Sequence, residues 1–534
     1  MASGSALKYI CGVHGRTSRV RAAFLLSVAT VALGWLSGCR GDEGEPDASG
    51  GDSGASTGGQ PRGGGPSGGG PSGGGSGGFG GSGGTGSGGT GGASDGIDWG
   101  GCTYDAGLKA NIQVELDRYE VTSVLELKEL NANWEPYASL AGIECLENLE
   151  VLYLSYIFEE EDRPLLDLSL LADLDQLTQL SIATARLSHV EALADLRLKS
   201  LRLGWVEMDS LEPLSALTGL ENLELGGLGL GDLSPLSSLT ELRYLQLDTL
   251  PVTTLAPLSG LPALTNLWLW DLDIVDLEGL TNLPELADLQ VLAMDIESFE
   301  GILDVPKLES IRIEGCEVVE SLDGLEACEG LESIFVARLL PDQANLMSDL
   351  GALSDMPTLK SLEIAGAAVS DISPLAGLPL ERLDITDNQV ESIDALAEMP
   401  LSSLRISGNP VVSLEPLGTL SSLEQLAMQG VGATSLDLLA GAPLTHLDVA
   451  DNSVSDIALS LDWDLVELLA SNNDIVSLPD GFVGGQGSCS RTDLSGNPLD
   501  QAAQDTLLAL CEPPSNGSGY MWDGGSCPPI CEVP

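Results

Sequence analysis

The sequence predicts an α/β solenoid, with a parallel β-sheet on its concave face and short 3-10 or turn segments on its convex face. Three observations predict it. Apolar residues recur at i, i+3 and i+5 in steps of mostly 21 or 22 residues. Each recurrence opens with the two-residue alternation of a strand. Each then closes in apolar residues three apart, often broken by proline, which suits a tight turn better than a long helix. Self-similarity at this length means that each unit buries its apolar face only against its neighbours.

The ladder starts at Leu149 and continues through Leu177, Leu198, Leu220, Leu242, Leu264, Leu286 and Leu308. It resumes at Leu331, Leu359, Leu380, Leu401, Leu423, Leu444 and Leu465, and more weakly at Cys489. The steps into Leu177 and Leu359 are 28 residues long. The unit at Leu242 shows the pattern: Leu245-Gln246-Leu247 alternates as a strand, and Val252, Leu255, Leu258 and Leu261 form the return around Pro257.

The segments Leu380-Glu-Arg-Leu-Asp-Ile-Thr-Asp-Asn388 and Leu401-Ser-Ser-Leu-Arg-Ile-Ser-Gly-Asn409, with the turn Asp371-Ile-Ser-Pro-Leu-Ala-Gly-Leu378, resemble the leucine-rich-repeat family. The match is to its 22-residue internalin-like class and covers roughly residues 105–510. The resemblance implies a non-enzymatic scaffold that binds partners on its concave sheet. The family's asparagine after the strand stands at Asn388, Asn409, Asn452, Asn473 and Asn497. Val206, Leu228, Leu250, Leu272 and Cys316 replace it earlier. Buried amides there need other partners, water being the candidate, and that half is expected to be less regular.

Residues 1–38 read as a lipoprotein signal peptide. Lys8, Arg16, Arg19 and Arg21 precede an apolar stretch from Ala22 to Trp35, too short to span a bilayer comfortably. Leu36-Ser37-Gly38-Cys39 resembles a bacterial lipobox, which implies lipidation of Cys39 and an outer-membrane destination, periplasmic or surface-facing. Residues 39–98 form a tether, since a Gly/Ser/Thr-rich stretch cannot bury a core. Its reach is roughly 40 Å on average and about 200 Å at most.

Beyond residue 98 the chain holds 16 Lys/Arg and 73 Asp/Glu, a net charge of −57. That field repels nucleic acid and anionic lipid, so membrane contact is expected through the lipid anchor only. Two unequal ends close the solenoid. An N-terminal cap covers 99–148, with a helix over Asp105–Leu116 and a disulfide between Cys102 and Cys145. The repeats occupy 149–498, and a C-terminal cap and tail 499–534, with a helix over Asp500–Leu510. There Cys489–Cys511 is the favoured pair and Cys527–Cys531 a weaker one, although four cysteines permit three pairings. Cys316 and Cys328 read as packed thiols rather than a bridge or a metal site.

Nothing in the spacing implies a metal, a cofactor or catalysis. His446 and Asp448 share a strand face, but no nucleophile motif accompanies them. Aromatics are only 4% of the chain, yet Tyr153, Trp205, Tyr244, Trp268, Trp270 and Phe335 fall at outward strand positions, with Tyr156 just beyond one. Corresponding later positions (Arg382, Asp384, Arg405, Gln425, His446, Asp448, Asp493) are polar. Outward Trp and Tyr are what protein interfaces use as anchors. The expected function is a lipid-anchored envelope protein that binds a protein partner through this patch. A carbohydrate-binding module and an envelope spacer are the alternatives.

Overall fold

A computed structural model describes residues 97–133, 135–155, 163–316, 318–338, 345–482 and 491–511. Within them 17 strands form one parallel sheet whose order follows the chain. The sheet starts at Glu129–Asn131, before the first ladder leucine, and ends at Arg491–Asp493. A separate two-stranded pair joins Leu165–Asp167 to Arg186–Ser188.

The ladder leucines are the core. Leu149, Leu152 and Leu154 are at most 1% exposed, and the same triplet is buried in every later repeat that is described. Most coils return through a short 3-10 turn, five of which carry proline in their first two positions, whereas residues 271–287 and 293–309 return through plain turns. A short polar residue two before the turn's first amide accepts its N–H, as Asp232 does from Ser234 and Asp371 from Ser373. Ser210, Thr254, Asp276, Ser392, Ser413, Ser435 and Asp456 repeat the device. It satisfies a donor that a turn start otherwise leaves bare.

The first helix, α1, runs Ala106–Tyr119 with Asp105 as its N-cap, ending three residues later than expected. It buries Leu108, Ile112 and Leu116. Cys102 and Cys145 form the expected disulfide. The second, α2, runs Gln501–Cys511, with Asp500 accepting from Ala503 N. Cys489, Cys527 and Cys531, with Cys39, the tether through residue 96 and Tyr156, lie outside the described residues, as does the side chain of Cys511. Cys316 and Cys328 are buried free thiols, pushed up by burial to about 12 and about 11.

The expectation of less regular strands in the early half is corrected. From Ser200–Gly204 through Ser333–Ala337 every strand is five residues long, and its pairing runs to the last residue. The corner amide that follows still donates to the neighbouring coil: Trp205 N to Gly226 O, Thr249 N to Trp270 O, Gly315 N to Ala337 O. Along these strands and corners backbone satisfies backbone, and Val206, Leu228, Leu250 and Leu272 lie in the core.

The later half has the shorter strands, three residues each from Arg382–Asp384 onward. Asn388 Nδ2 donates to Ile364 O at 2.7 Å, a carbonyl of the previous coil. Thr386 N turns to Asp384 Oδ1 at 2.9 Å. Asn452 with Asp448, and Asn497 with Asp493, repeat the exchange.

Candidate partner-binding surface

Each five-residue strand sends its first, third and fifth side chains to the concave face, making a leading, a central and a trailing column. Register fixes who neighbours whom. The central column reads Tyr153, Ser181, Arg202, Glu224, Gln246, Trp268, Gln290, Arg312, Phe335 and Glu363. The trailing column reads Ala183, Gly204, Gly226, Asp248 and Trp270.

Three of the six expected aromatics come together. Tyr244, at the start of its strand, lies edge-to-face with Trp268 of the next strand, ring centroids 5.4 Å apart at 68°. Trp270 stands two residues beyond Trp268 on the same face. All three are half-buried rather than fully exposed. Hydrogen bonds fix the pair: Trp268 Nε1 donates to Asp288 Oδ2 at 3.1 Å, and Tyr244 OH to Gln246 Oε1 at 2.8 Å. Burial, helped by the Glu224 and Asp288 carboxylates, drives the Tyr244 phenol well above its ordinary range, so it stays a neutral donor.

The other three stand apart. Tyr153 is five strands from Trp268, or about 24 Å at the usual strand spacing, and its OH accepts from Gln179 Nε2 at 3.1 Å. Phe335 is three strands away on the other side, and the Arg312 guanidinium covers its ring at 4.0 Å. Trp205 is not on a strand. It follows Ser200–Gly204 at φ +55° and is 40% exposed.

Charge on this face is largely matched locally. Arg202 pairs with Glu224 at 2.8 Å and Arg312 with Glu314 at 2.9 Å. Burial nevertheless raises the carboxyls of Glu224 and Asp248. His446 and Asp448 do share a face, but each is engaged elsewhere. His446 Nδ1 lies 2.9 Å from Thr445 Oγ1, and Asp448 accepts from Ala450 N and Gln429 Nε2. Among the described residues no cluster of side chains has the makings of a metal site. No described helix is long and apolar enough to cross a membrane.

Sequence reasoning missed the aspartates. Asp384, Asp448 and Asp493 terminate strands, and Asp232, Asp276, Asp371 and Asp456 cap turns. The signal was present as an Asp four residues before each of Asn388, Asn452 and Asn497, and as a Ser/Thr/Asp before each turn.

No protein-family model matches the chain, and no curated protein does. Solved structures do. A leucine-rich-repeat protein of Leptospira interrogans is 16% identical over 76% of this chain and 96% of its own, with a TM-score of 0.53. Toll, in the Toll–Spätzle complex of Drosophila, is 18% identical over 66% of this chain and 54% of its own, at 0.52. An internalin of Listeria monocytogenes is 24% identical over 68% of this chain and 99% of its own, at 0.48. With the 17-stranded parallel sheet, the first two likenesses establish the architecture: the chain folds as a leucine-rich-repeat solenoid.

Proposed function

We propose that the protein is an exported, non-enzymatic recognition protein that binds a protein partner on its concave sheet around Tyr244, Trp268 and Trp270. Lipid on Cys39 anchors it to the outer membrane, and residues 39–98 tether the solenoid. The observation that carries the binding reading is the fixed Tyr244–Trp268 pair beside Trp270, on a chain with so few aromatics. Rigid aromatic area bound at low entropy cost is the usual source of interface energy. The Cys102–Cys145 disulfide suits an oxidising compartment. Toll, a neighbour in fold, is seen with Spätzle, so the architecture accommodates a ligand. The net charge of −58 disfavours nucleic acid as that ligand.

The test is Trp268→Ala with Trp270→Ala in the tethered protein, set against the parent in quantitative capture from envelope and extracellular extracts. A hot-spot tryptophan is worth about 2 kcal/mol, or about 30-fold in affinity. A folded variant that captures the same proteins equally well removes the site. A glycan reading has one observation behind it: the indole of Trp268 lies beside Asp288 and Gln290, polar partners of the kind sugar hydroxyls use. Saturable binding on a glycan array, lost in the same variant, would establish it instead.

A further inference from the structure

The trailing column holds a feature that the aromatic pair does not use. Ala183, Gly204 and Gly226 leave the trailing column of three adjacent strands almost without side chains. A methyl group at Gly204 would meet only Ala183 Cβ, at 3.8 Å, so the trough there is open. Its far end is closed by Asp248 and then Trp270, in register on successive strands. Asp248 Oδ1 accepts from Thr249 Oγ1 at 2.8 Å. Its Oδ2 lies 3.6 Å from where a Gly226 Cβ would stand, and so faces the trough.

Trp205 forms the flank opposite Trp270. It holds the left-handed corner that follows each of these strands, at φ +55°, as Thr184 does at +57°, Gly227 at +62° and Thr249 at +51°. A bulky residue in that conformation costs about 1–2 kcal/mol. Its indole lies over Gly227, where a Cβ would overlap the ring, and the Trp205 backbone N–H donates to Gly226 O at 2.7 Å. The strand under the Trp205 indole and the strand that carries Trp270 are two strand spacings apart, roughly 10 Å at the backbone, with the Asp248 strand between them. A cation seated between those strands beside Asp248 has both indoles as neighbours, the arrangement that cation–π contacts use. Burial, with the Asp271 carboxylate adding to it, already holds Asp248 above the ordinary carboxylate range, which a bound cation would reverse.

We propose that Trp205, Asp248 and Trp270 form a cage for a lysine or arginine side chain of a protein partner, whose backbone lies along the trough over Ala183, Gly204 and Gly226. This rests on the concave face being a protein-binding surface. The ectodomain's charge of −57 draws such a segment in, and the cage gives its cation a fixed seat.

The test titrates the full mature protein, carrying 15N-labelled tryptophan indoles, with an end-capped tetra-lysine peptide. The indole signals of Trp205 and Trp270 should shift together with one dissociation constant. Asp248→Asn should weaken that constant roughly tenfold, and Glu363→Gln, a charge control farther along the sheet, by less than about twofold. The lysine-acetylated peptide should move neither signal. Gly204→Phe, which puts a ring into the trough at a position where a Cβ meets no clash, is the second variant and should also weaken binding.

Equal losses in Asp248→Asn and Glu363→Gln would mean diffuse attraction and overturn the cage. So would equal shifts with the acetylated peptide. Tighter binding of spermidine than of the peptide would overturn the assignment to a protein side chain. The titration needs no natural partner, so failed capture by the Tyr244–Trp268–Trp270 surface and failure of the cage are separate results.

Discussion

Replacing Asn409 by leucine, the residue type that the early repeats carry at this position, tests whether the two halves satisfy their backbone differently. Asn409 is 2% exposed. Its Nδ2 donates to Ile385 O at 2.8 Å and Ile406 O at 3.0 Å, and its Oδ1 accepts from Val390 N at 3.0 Å. Three good bonds at about 1 kcal/mol each make about 3 kcal/mol, and the stranded Val390 amide adds about 1–3. Burying leucine in place of the amide returns about 1–2 kcal/mol. The net loss is about 3 kcal/mol, confined to the coils around residue 400 because repeats report to their neighbours. Hydrogen exchange should show the Val390 amide speeding up about a hundredfold, while amides in Ser200–Gly204 keep their protection. The converse change, Leu250→Asn, should destabilise by about 2 kcal/mol, since a buried amide arrives where strand pairing has already used the backbone partners. Unchanged exchange at Val390, or stabilisation by Leu250→Asn, would refute the account.

Reducing Cys102–Cys145 frees a separation of 43 residues. The chain-entropy treatment puts the loss near 4 kcal/mol, and exchange in α1 should report it. Asp232 and Asp371 have carboxyls held below the ordinary range by hydrogen bonds, from the Ser234 side chain chiefly for Asp232 and the Ser373 amide chiefly for Asp371. A depressed folded pKa contributes stability above the unfolded value, near pH 4, and that stability is lost as pH falls through the folded value. Carboxyl NMR titration should place both midpoints below the ordinary aspartate range, and Asp371→Asn should remove its part of the acid sensitivity. An ordinary midpoint for either would count against its cap.

The period, the inward leucines and the strand face of each outward residue were all legible, because a repeating unit prints the same burial pattern many times over. The helices at Ala106–Tyr119 and Gln501–Cys511 were legible through their Asp caps. The candidate site was legible only as a set. Alternation puts Tyr153 and Phe335 on the concave face, but lateral register sets their distance from Trp268, and Arg312 covers Phe335 from the neighbouring strand. Counting from the ladder leucine also placed Trp205 on a strand, because a left-handed corner is expected of Gly rather than Trp. The trough was missed because Gly204 and Gly226 carry no side chain to attract notice.

The two modes of backbone satisfaction decide where a binding surface of any width exists. In the later coils the asparagine amide takes a carbonyl that strand pairing would use, and an aspartate takes the amide so released. Pairing then stops at three residues, and only the leading and central columns remain on the sheet. With leucine or valine at that position, pairing runs two residues further and the trailing column joins the concave floor. Gly204, Gly226, Asp248 and Trp270 all stand in that column. The loss of the family's asparagine and the gain of a wide, aromatic floor are thus two consequences of one substitution pattern. The half that departs from that asparagine pattern is the half with the wider concave floor.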